Sequence, residues 1–171
     1  MKRENYITWD EMFMSIAETA AMRSKDPNTQ HGSCIVKNSK VLSVGYNGLV
    51  YGLNDNGYPI MSVDKNEMWM VPKEGLIYDY WERSQKDNWC AHSEFNAILN
   101  AKCDLKGSTL FLYSTKGYYP CKECAKMIVQ CEICEVVMKT AIKTNTDVYN
   151  WNFTQHMFKM ADIKIRVLND N

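Results

Sequence analysis

From residue 89 onward the chain reads as a regular alternation of helix and strand. WCAHSEFNAILN (89–100), with Ala97, Ile98 and Leu99 at its end, predicts a short helix. TLFLYS (109–114) predicts a strand, Cys121 to about Cys131 a helix, and EVVMK (135–139) a strand. WNFTQHMFKMA predicts a further helix and IKIRVL (163–168) a last strand. Ahead of this alternation, SCIVK (33–37) and KVLSVGY (40–46) predict a hairpin turning at Asn38 and Ser39. Thr8 and Glu11 fit a capping box, and Met12, Ile16 and Ala20 follow at four-residue steps, so a helix is expected from about Trp9 to Met22. Pro27 cannot continue it, and Asp26 before the proline is pushed toward extended geometry. A helix, a hairpin and alternating units together favour an α/β sandwich built on a mixed sheet.

Residues 49–88 have weak periodicity, apart from a helical turn or two expected in YDYWERSQ. A connection that long inside a compact domain is usually functional or mobile. There is no internal repeat, low-complexity tract or linker, so residues 1–171 are expected to form one domain with 49–88 as an insertion or active-site loop region. Lysine plus arginine and aspartate plus glutamate each number 20, for a formal net charge of zero. A protein held to nucleic acid by phosphate contacts usually carries a basic bias, and no such bias exists in bulk here. No apolar stretch is long enough to cross a bilayer, and MKRENYITWDE lacks the apolar core of a signal peptide. The expectation is a cytoplasmic protein without membrane or nucleic-acid partners. In that compartment seven cysteines read as thiols or metal ligands rather than as a disulfide framework.

Two short motifs carry chemistry. Pro120-Cys121-Lys122-Glu123-Cys124 offers two thiolates at Cys-x-x-Cys spacing, a good half-site for tetrahedral Zn²⁺. A helix starting at Cys121 would favour the thiolate form through its amides and dipole. His92, also at a helix start, supplies a third ligand, and three protein ligands leave a fourth position for water. Glu94 is then free of the metal. A metal-bound water has its pKa drawn toward ~7, and a neighbouring carboxylate can carry its proton to a substrate. The H-x-E…P-C-x-x-C order is the known signature of zinc deaminases. Alone, H-x-E is a common triplet, and Cys-x-x-Cys fits a structural zinc or a redox pair equally. Cys131 and Cys134 form a second Cys-x-x-Cys and offer a rival four-cysteine site. If 121–131 is helical, however, Cys121 and Cys131 stand ~15 Å apart along the axis and cannot share an ion. Cys34, Cys103, Cys131 and Cys134 read as small hydrophobes, and Cys90 as a neighbour of the site rather than a ligand.

On these residues the sequence resembles the deoxycytidylate deaminases of the cytidine deaminase-like superfamily. The blocks RSKDPNTQ with Gly32, VGYNG, AHSEFNAILN, DLKGSTLFLYS, PCKECAKMIVQ and MFKMADIKIRVL occur in the family's order. The resemblance implies a three-layer α/β/α sandwich with a five-stranded mixed sheet, one zinc per subunit, and conversion of dCMP to dUMP that feeds thymidylate synthesis. It implies zinc held by His92, Cys121 and Cys124, and Glu94 as the proton shuttle. It places Asn47 on the sugar hydroxyl and Arg23, Ser24 and Lys25 near the phosphate. It also implies a homohexamer with dCTP and dTTP as allosteric effectors, although 49–88 is the least family-like stretch. Plainer uses stand beside these. Asn-Gly is itself a hairpin signal. Arg23 and Lys25 sit where cations favour a helix C-terminus. Tyr118 and Tyr119 suit either the wall of a base pocket or core packing.

The sequence departs from the family pattern at Ser93, where alanine is usual, and at Glu132, where glycine is usual. The second departure puts the local turn in question. Rival functions are a deaminase of dCTP or of a modified dCMP, and a tRNA adenosine deaminase. The last is disfavoured by zero net charge and by the RSKDP and GYNG blocks. A catalytically inactive, zinc-stabilised binding module is the rival from another class, and an unliganded Glu94 argues against it.

Overall fold

The computed structural model describes residues 2–53, 58–63, 70–78, 81–117, 119–139 and 151–168, with backbone alone for 58–63, 70–78 and 83–85. In chain order the elements are α1 (Trp9–Ala21), β1 (His31–Lys37), β2 (Lys40–Tyr46), β3 (Gly48–Leu49), β4 (Tyr58–Val63), β5 (Met70–Tyr78), α2 (Arg83–Trp89), β6 (Cys90–Ala91), α3 (Ser93–Ala101), β7 (Thr109–Ser114), α4 (Lys122–Gln130), β8 (Glu135–Lys139), α5 (Trp151–Met160) and β9 (Lys164–Leu168). They fall into two compact units, one within Met1–Gly48 and His92–Asn171, the other within Leu49–Ala91.

The first unit holds a five-stranded sheet in the order β2-β1-β7-β8-β9. β1 is antiparallel to β2 and β7, while β7, β8 and β9 run parallel. The sheet is mixed because the first two strands share a two-residue turn, whereas the later strands are joined through helices. Asn38 and Ser39 take positive φ (51° and 58°), as a tight hairpin turn of this kind requires.

Strand alternation divides the core in two. Ile35, Leu110, Leu112, Val136 and Met138 face one way, onto Ala97 of α3, Ala125 and Ile128 of α4, and Phe158 of α5. Cys34, Val36, Phe111 and Val137 face the other way, onto Phe13, Met14 and Ala17 of α1. Helices therefore cover both faces, giving the three-layer α/β/α sandwich that was expected. The stripe that α1 buries is Phe13, Met14, Ala17, Ala20 and Ala21, with Met12 exposed. The capping box forms as read, with Thr8 and Glu11 satisfying each other's backbone amides.

Two glycines set the helix-to-sheet distances. A Cβ on Gly32 would lie 1.9 Å from the Ala17 carbonyl oxygen of α1. A Cβ on Gly45 would lie 2.3 Å from Ala97 N and 2.4 Å from Ser93 O of α3. Side-chain hydrogen bonds tie α3 to β2 as well. Ser43 Oγ donates to the Ala97 carbonyl at 2.7 Å. Asn96 and Asn100, one helical turn apart, donate to the Tyr46 and Val44 carbonyls at 2.8 and 3.2 Å. β2 is an edge strand, and His31 and Asn47 bond to each other across the ladder. By strand alternation the Tyr46 and Val44 carbonyls then point away from β1.

α4 ends in a Schellman motif. Glu132 N–H donates to Val129 O, and Ile133 N–H to Ile128 O. Glu132 takes the left-handed position itself, at φ 53°, so the turn forms without the glycine.

Outside the five-stranded sheet, β3 pairs with β6, and β4 is antiparallel to β5. The sequence showed neither pair. Of YDYWERSQ, the segment from Arg83 onward begins α2, and residues 79–80 lie outside the described residues.

Candidate metal and catalytic centre

Both chemical motifs occupy helix starts. His92 is the N-cap of α3 (φ −75°, ψ 160°) and Cys121 the N-cap of α4 (φ −68°, ψ 167°). Neither side chain bonds back to its own helix as a cap, so the imidazole and the thiol are left to turn toward each other. Cys124 lies one turn into α4 and is buried. The first helix is held by Gly45 and Ser43. The second is held from α5, where Thr154 Oγ donates to the Pro120 carbonyl at 3.1 Å and Trp151 stacks on Tyr119.

This docking brings His92 Nδ1 to 3.4 Å from Cys121 Sγ and 3.5 Å from Cys124 Sγ. Among the described residues these are the one group of three His, Cys, Asp or Glu side chains whose ligand atoms all lie within 4.8 Å of one another. A tetrahedral ion with bonds of about 2.05 Å to nitrogen and about 2.3 Å to sulfur sets those atoms about 3.6 Å apart. The donor set thus fits zinc in both chemistry and spacing. Cys131 sits at the far end of α4 from Cys121, as the helical spacing required.

The electrostatics agree. The Cys121 thiol is pushed down to about 4, chiefly by a hydrogen bond from Cys124, with burial opposing and His92 assisting. The same shared proton, followed by burial, raises Cys124. A dication in the triangle would favour the thiolate form of both sulfurs. Glu94 is buried but belongs to no ligand set. Burial raises its carboxyl above the ordinary 4.5, His92 opposes, and Cys121 adds to the rise. Its Oε2 accepts from Ser93 Oγ at 3.0 Å, and Ser93 Oγ in turn accepts from Ser33 Oγ at 2.8 Å.

Of the residues expected at the substrate, Asn47 is the most deeply buried. Asn47 is 2% exposed. Its Oδ1 accepts from His31 N at 2.8 Å, and its Nδ2 donates to Asp26 Oδ2 at 3.1 Å and Thr29 O at 2.9 Å. Ser24 Oγ donates to the Asn47 carbonyl at 2.8 Å. Both amide hydrogens of Asn47 are therefore spent, and its side chain pins the 24–30 loop; one lone pair on Oδ1 is left for a ligand. Arg23 and Lys25 are exposed, with the Arg23 guanidinium 5.7 Å from the centre of the Tyr46 ring. Tyr119 packs against the core below α5. Tyr118 lies outside the described residues. Sequence reasoning missed Ser33, Gly45 and Thr154. Only Gly45 left a signal, since a lone glycine within a strand pattern marks a close backbone approach.

A mixed sheet whose flanking helices deliver one imidazole, two thiols and a buried unliganded carboxylate to one point defines a zinc hydrolase. Residues 7–140 match the family described as "Cytidine and deoxycytidylate deaminase zinc-binding region". The deoxycytidylate deaminases of Pongo abelii and Homo sapiens are 34% and 33% identical over 167 residues, covering 96% of this chain and 82% of each relative. The crystal structure of the dCMP deaminase of cyanophage S-TIM5, in complex with dCMP and dUMP, superposes with a TM-score of 0.62. It is 18% identical and covers 95% of this chain and 100% of that one. The chain belongs to the cytidine and deoxycytidylate deaminase family, whose matched region is zinc-binding, and His92, Cys121 and Cys124 are the group of described residues that could hold the ion.

Proposed function

We propose that this enzyme hydrolyses dCMP to dUMP and ammonia. The observation that carries the reading is the buried Glu94 carboxylate standing beside a three-ligand zinc set without joining it. Support for the monophosphate comes from deoxycytidylate deaminases aligned over nearly the whole chain. Zinc, when bound, supplies the Lewis acidity that makes water nucleophilic at neutral pH. His92 and the two thiolates hold the ion. The water oxygen adds to C4 of the cytosine, and the C4–N bond breaks to free the amine. One proton of that water goes to the ring nitrogen and the other to the departing amine. Glu94 is the side chain that moves them. Arg23 and Lys25 offer the phosphate its cations, with Ser24 beside them and Asn47 bracing the loop from behind, the spare lone pair of Oδ1 facing the sugar hydroxyl. Tyr119 supports the metal loop as part of the pocket wall.

The same reading makes residues 1–171 one deaminase domain with 49–88 as its loop region. It also makes the enzyme a cytoplasmic homohexamer that responds to dCTP and dTTP. Among the described residues, no helix is long and apolar enough to cross a membrane. The test is ammonia release from dCMP, CMP, dCTP, deoxycytidine and a tRNA anticodon loop, each with and without dCTP or dTTP, with sedimentation run in parallel. Turnover of dCMP alone is expected. Turnover of the RNA alone would overturn the assignment, and no turnover of any would leave a binding module. Glu94→Gln is expected to keep zinc and lose nearly all turnover.

A further inference from the structure

Ser33 and Ser93 are both fully buried, and both are polar. Ser33 stands directly opposite Gly45 in the β1–β2 pair, on the sheet face that α3 covers. Because Gly45 has no side chain, α3 sits against the strand, and the Ser33 hydroxyl reaches the Ser93 hydroxyl in the helix's first turn. Ser93 Oγ donates its single hydroxyl hydrogen to Glu94 Oε2 and accepts from Ser33 Oγ. Each hydroxyl is satisfied by the next, and the chain ends on one oxygen, Glu94 Oε2.

Resting on the deaminase reading above, we infer that Ser93 and Ser33 are positioning residues for proton transfer: a buried hydroxyl relay that commits Glu94 Oε2 to the protein and leaves Oε1 to take and return the proton. Ser93 touches Glu94. Ser33 acts through Ser93 alone. The pair fixes the plane of the carboxylate, and a carboxylate free to rotate would spend part of its time presenting an oxygen in the wrong place. Such misplacement slows the chemical step and leaves substrate binding intact.

Two measurements test this on the zinc-loaded full chain. The first is steady-state ammonia release with zinc stoichiometry. Ser93→Ala is expected to lower kcat about tenfold with KM within about twofold and zinc unchanged. Ser33→Ala is expected to lower kcat about two- to threefold, and the double variant to equal Ser93→Ala, because Ser33 has no route to Glu94 except through Ser93. Multiplying effects in the double variant, or a Ser93→Ala enzyme with unchanged kcat, would overturn the relay. The second needs no substrate. The infrared carboxylate band of ¹³C-glutamate protein, assigned to Glu94 by subtracting Glu94→Gln, is expected to shift in Ser93→Ala. A band that stays in place also overturns the relay. If the wild type deaminates nothing but the band shifts, the relay stands and the deaminase reading fails. Should Ser93→Ala fold poorly, Ser33→Ala carries both measurements: a smaller band shift with a lowered kcat supports the relay, and neither change refutes it.

Discussion

Gly45→Ala is the smallest change that should dismantle the metal site from a distance. The new Cβ would fall 2.3 Å from Ala97 N and 2.4 Å from Ser93 O, both backbone atoms of α3. No side chain can rotate out of the way, so the helix must move by about 1 Å to restore ordinary contact at 3.4 Å. α3 carries His92 on its N-cap and Glu94 in its first turn. Metal–ligand bonds tolerate departures of about 0.2 Å, so a 1 Å shift of one ligand against two fixed thiols removes the tetrahedral fit. The overpacking itself should cost about 1–3 kcal/mol, or roughly 2–12 °C in Tm for a chain this long. The expected result is a folded protein with substoichiometric zinc and kcat/KM reduced at least about 100-fold. Metal content by mass spectrometry, a thermal melt and the ammonia assay read the three effects. Gly48→Ala is the control: its Cβ meets nothing nearer than Tyr46 Cε2 at 3.9 Å, so zinc and activity should hold. Full zinc and unchanged kcat in Gly45→Ala would refute the argument that helix-to-strand distance sets this site.

Glu132→Gly should raise stability by about 0.5–1 kcal/mol, seen in a thermal melt, because it relieves a left-handed non-glycine residue and loses only an exposed ion pair to Lys106. In zinc-stripped protein, Glu94→Gln should be more stable than wild type at neutral pH. A carboxyl raised above 4.5 in the fold costs stability as pH climbs past that value, so the difference between the two denaturation midpoints should close below about pH 4.5. Asn47→Ala should lower stability by about 3–5 kcal/mol in denaturant titration, since it strips partners from buried Asp26, Thr29 O and His31 N.

The fold's second half was legible because each element there is short, periodic and bounded. The candidate metal group was legible because zinc demands a spacing that chance seldom supplies twice. The stripe of α1 was read in part. Of Met12, Ile16 and Ala20, Ala20 is buried and Ile16 packs against the core, but Met12 is exposed and Phe13, Met14 and Ala17 are buried instead, because alanines at 17, 20 and 21 let the helix lie close on Gly32. Spacing alone cannot show which side of a helix will meet a glycine. The bracing of the 24–30 loop by Asn47 was not legible because a Tyr-Asn-Gly corner looks the same whether its amide faces a sugar, an aspartate or both. Its buried partner Asp26 lies 21 residues earlier in the chain, and only the folded loop brings them together. The relay from Ser33 was invisible for the same reason, its two hydroxyls being 60 residues apart.

The amides of Asn96 and Asn100 bear on how this molecule can meet another copy of itself. An edge strand with bare carbonyls is a template for a foreign strand, and so a route to aggregation. Here two outward carbonyls of β2 are already occupied by donors from the same helix that carries His92 at its N-cap. A strand arriving at that flank would have to displace α3 first, and would unseat the metal centre in doing so. Resistance to fibre formation and integrity of the active site are therefore guarded by one helix, and zinc loss and sheet-edge exposure should appear together when this protein ages or is stressed.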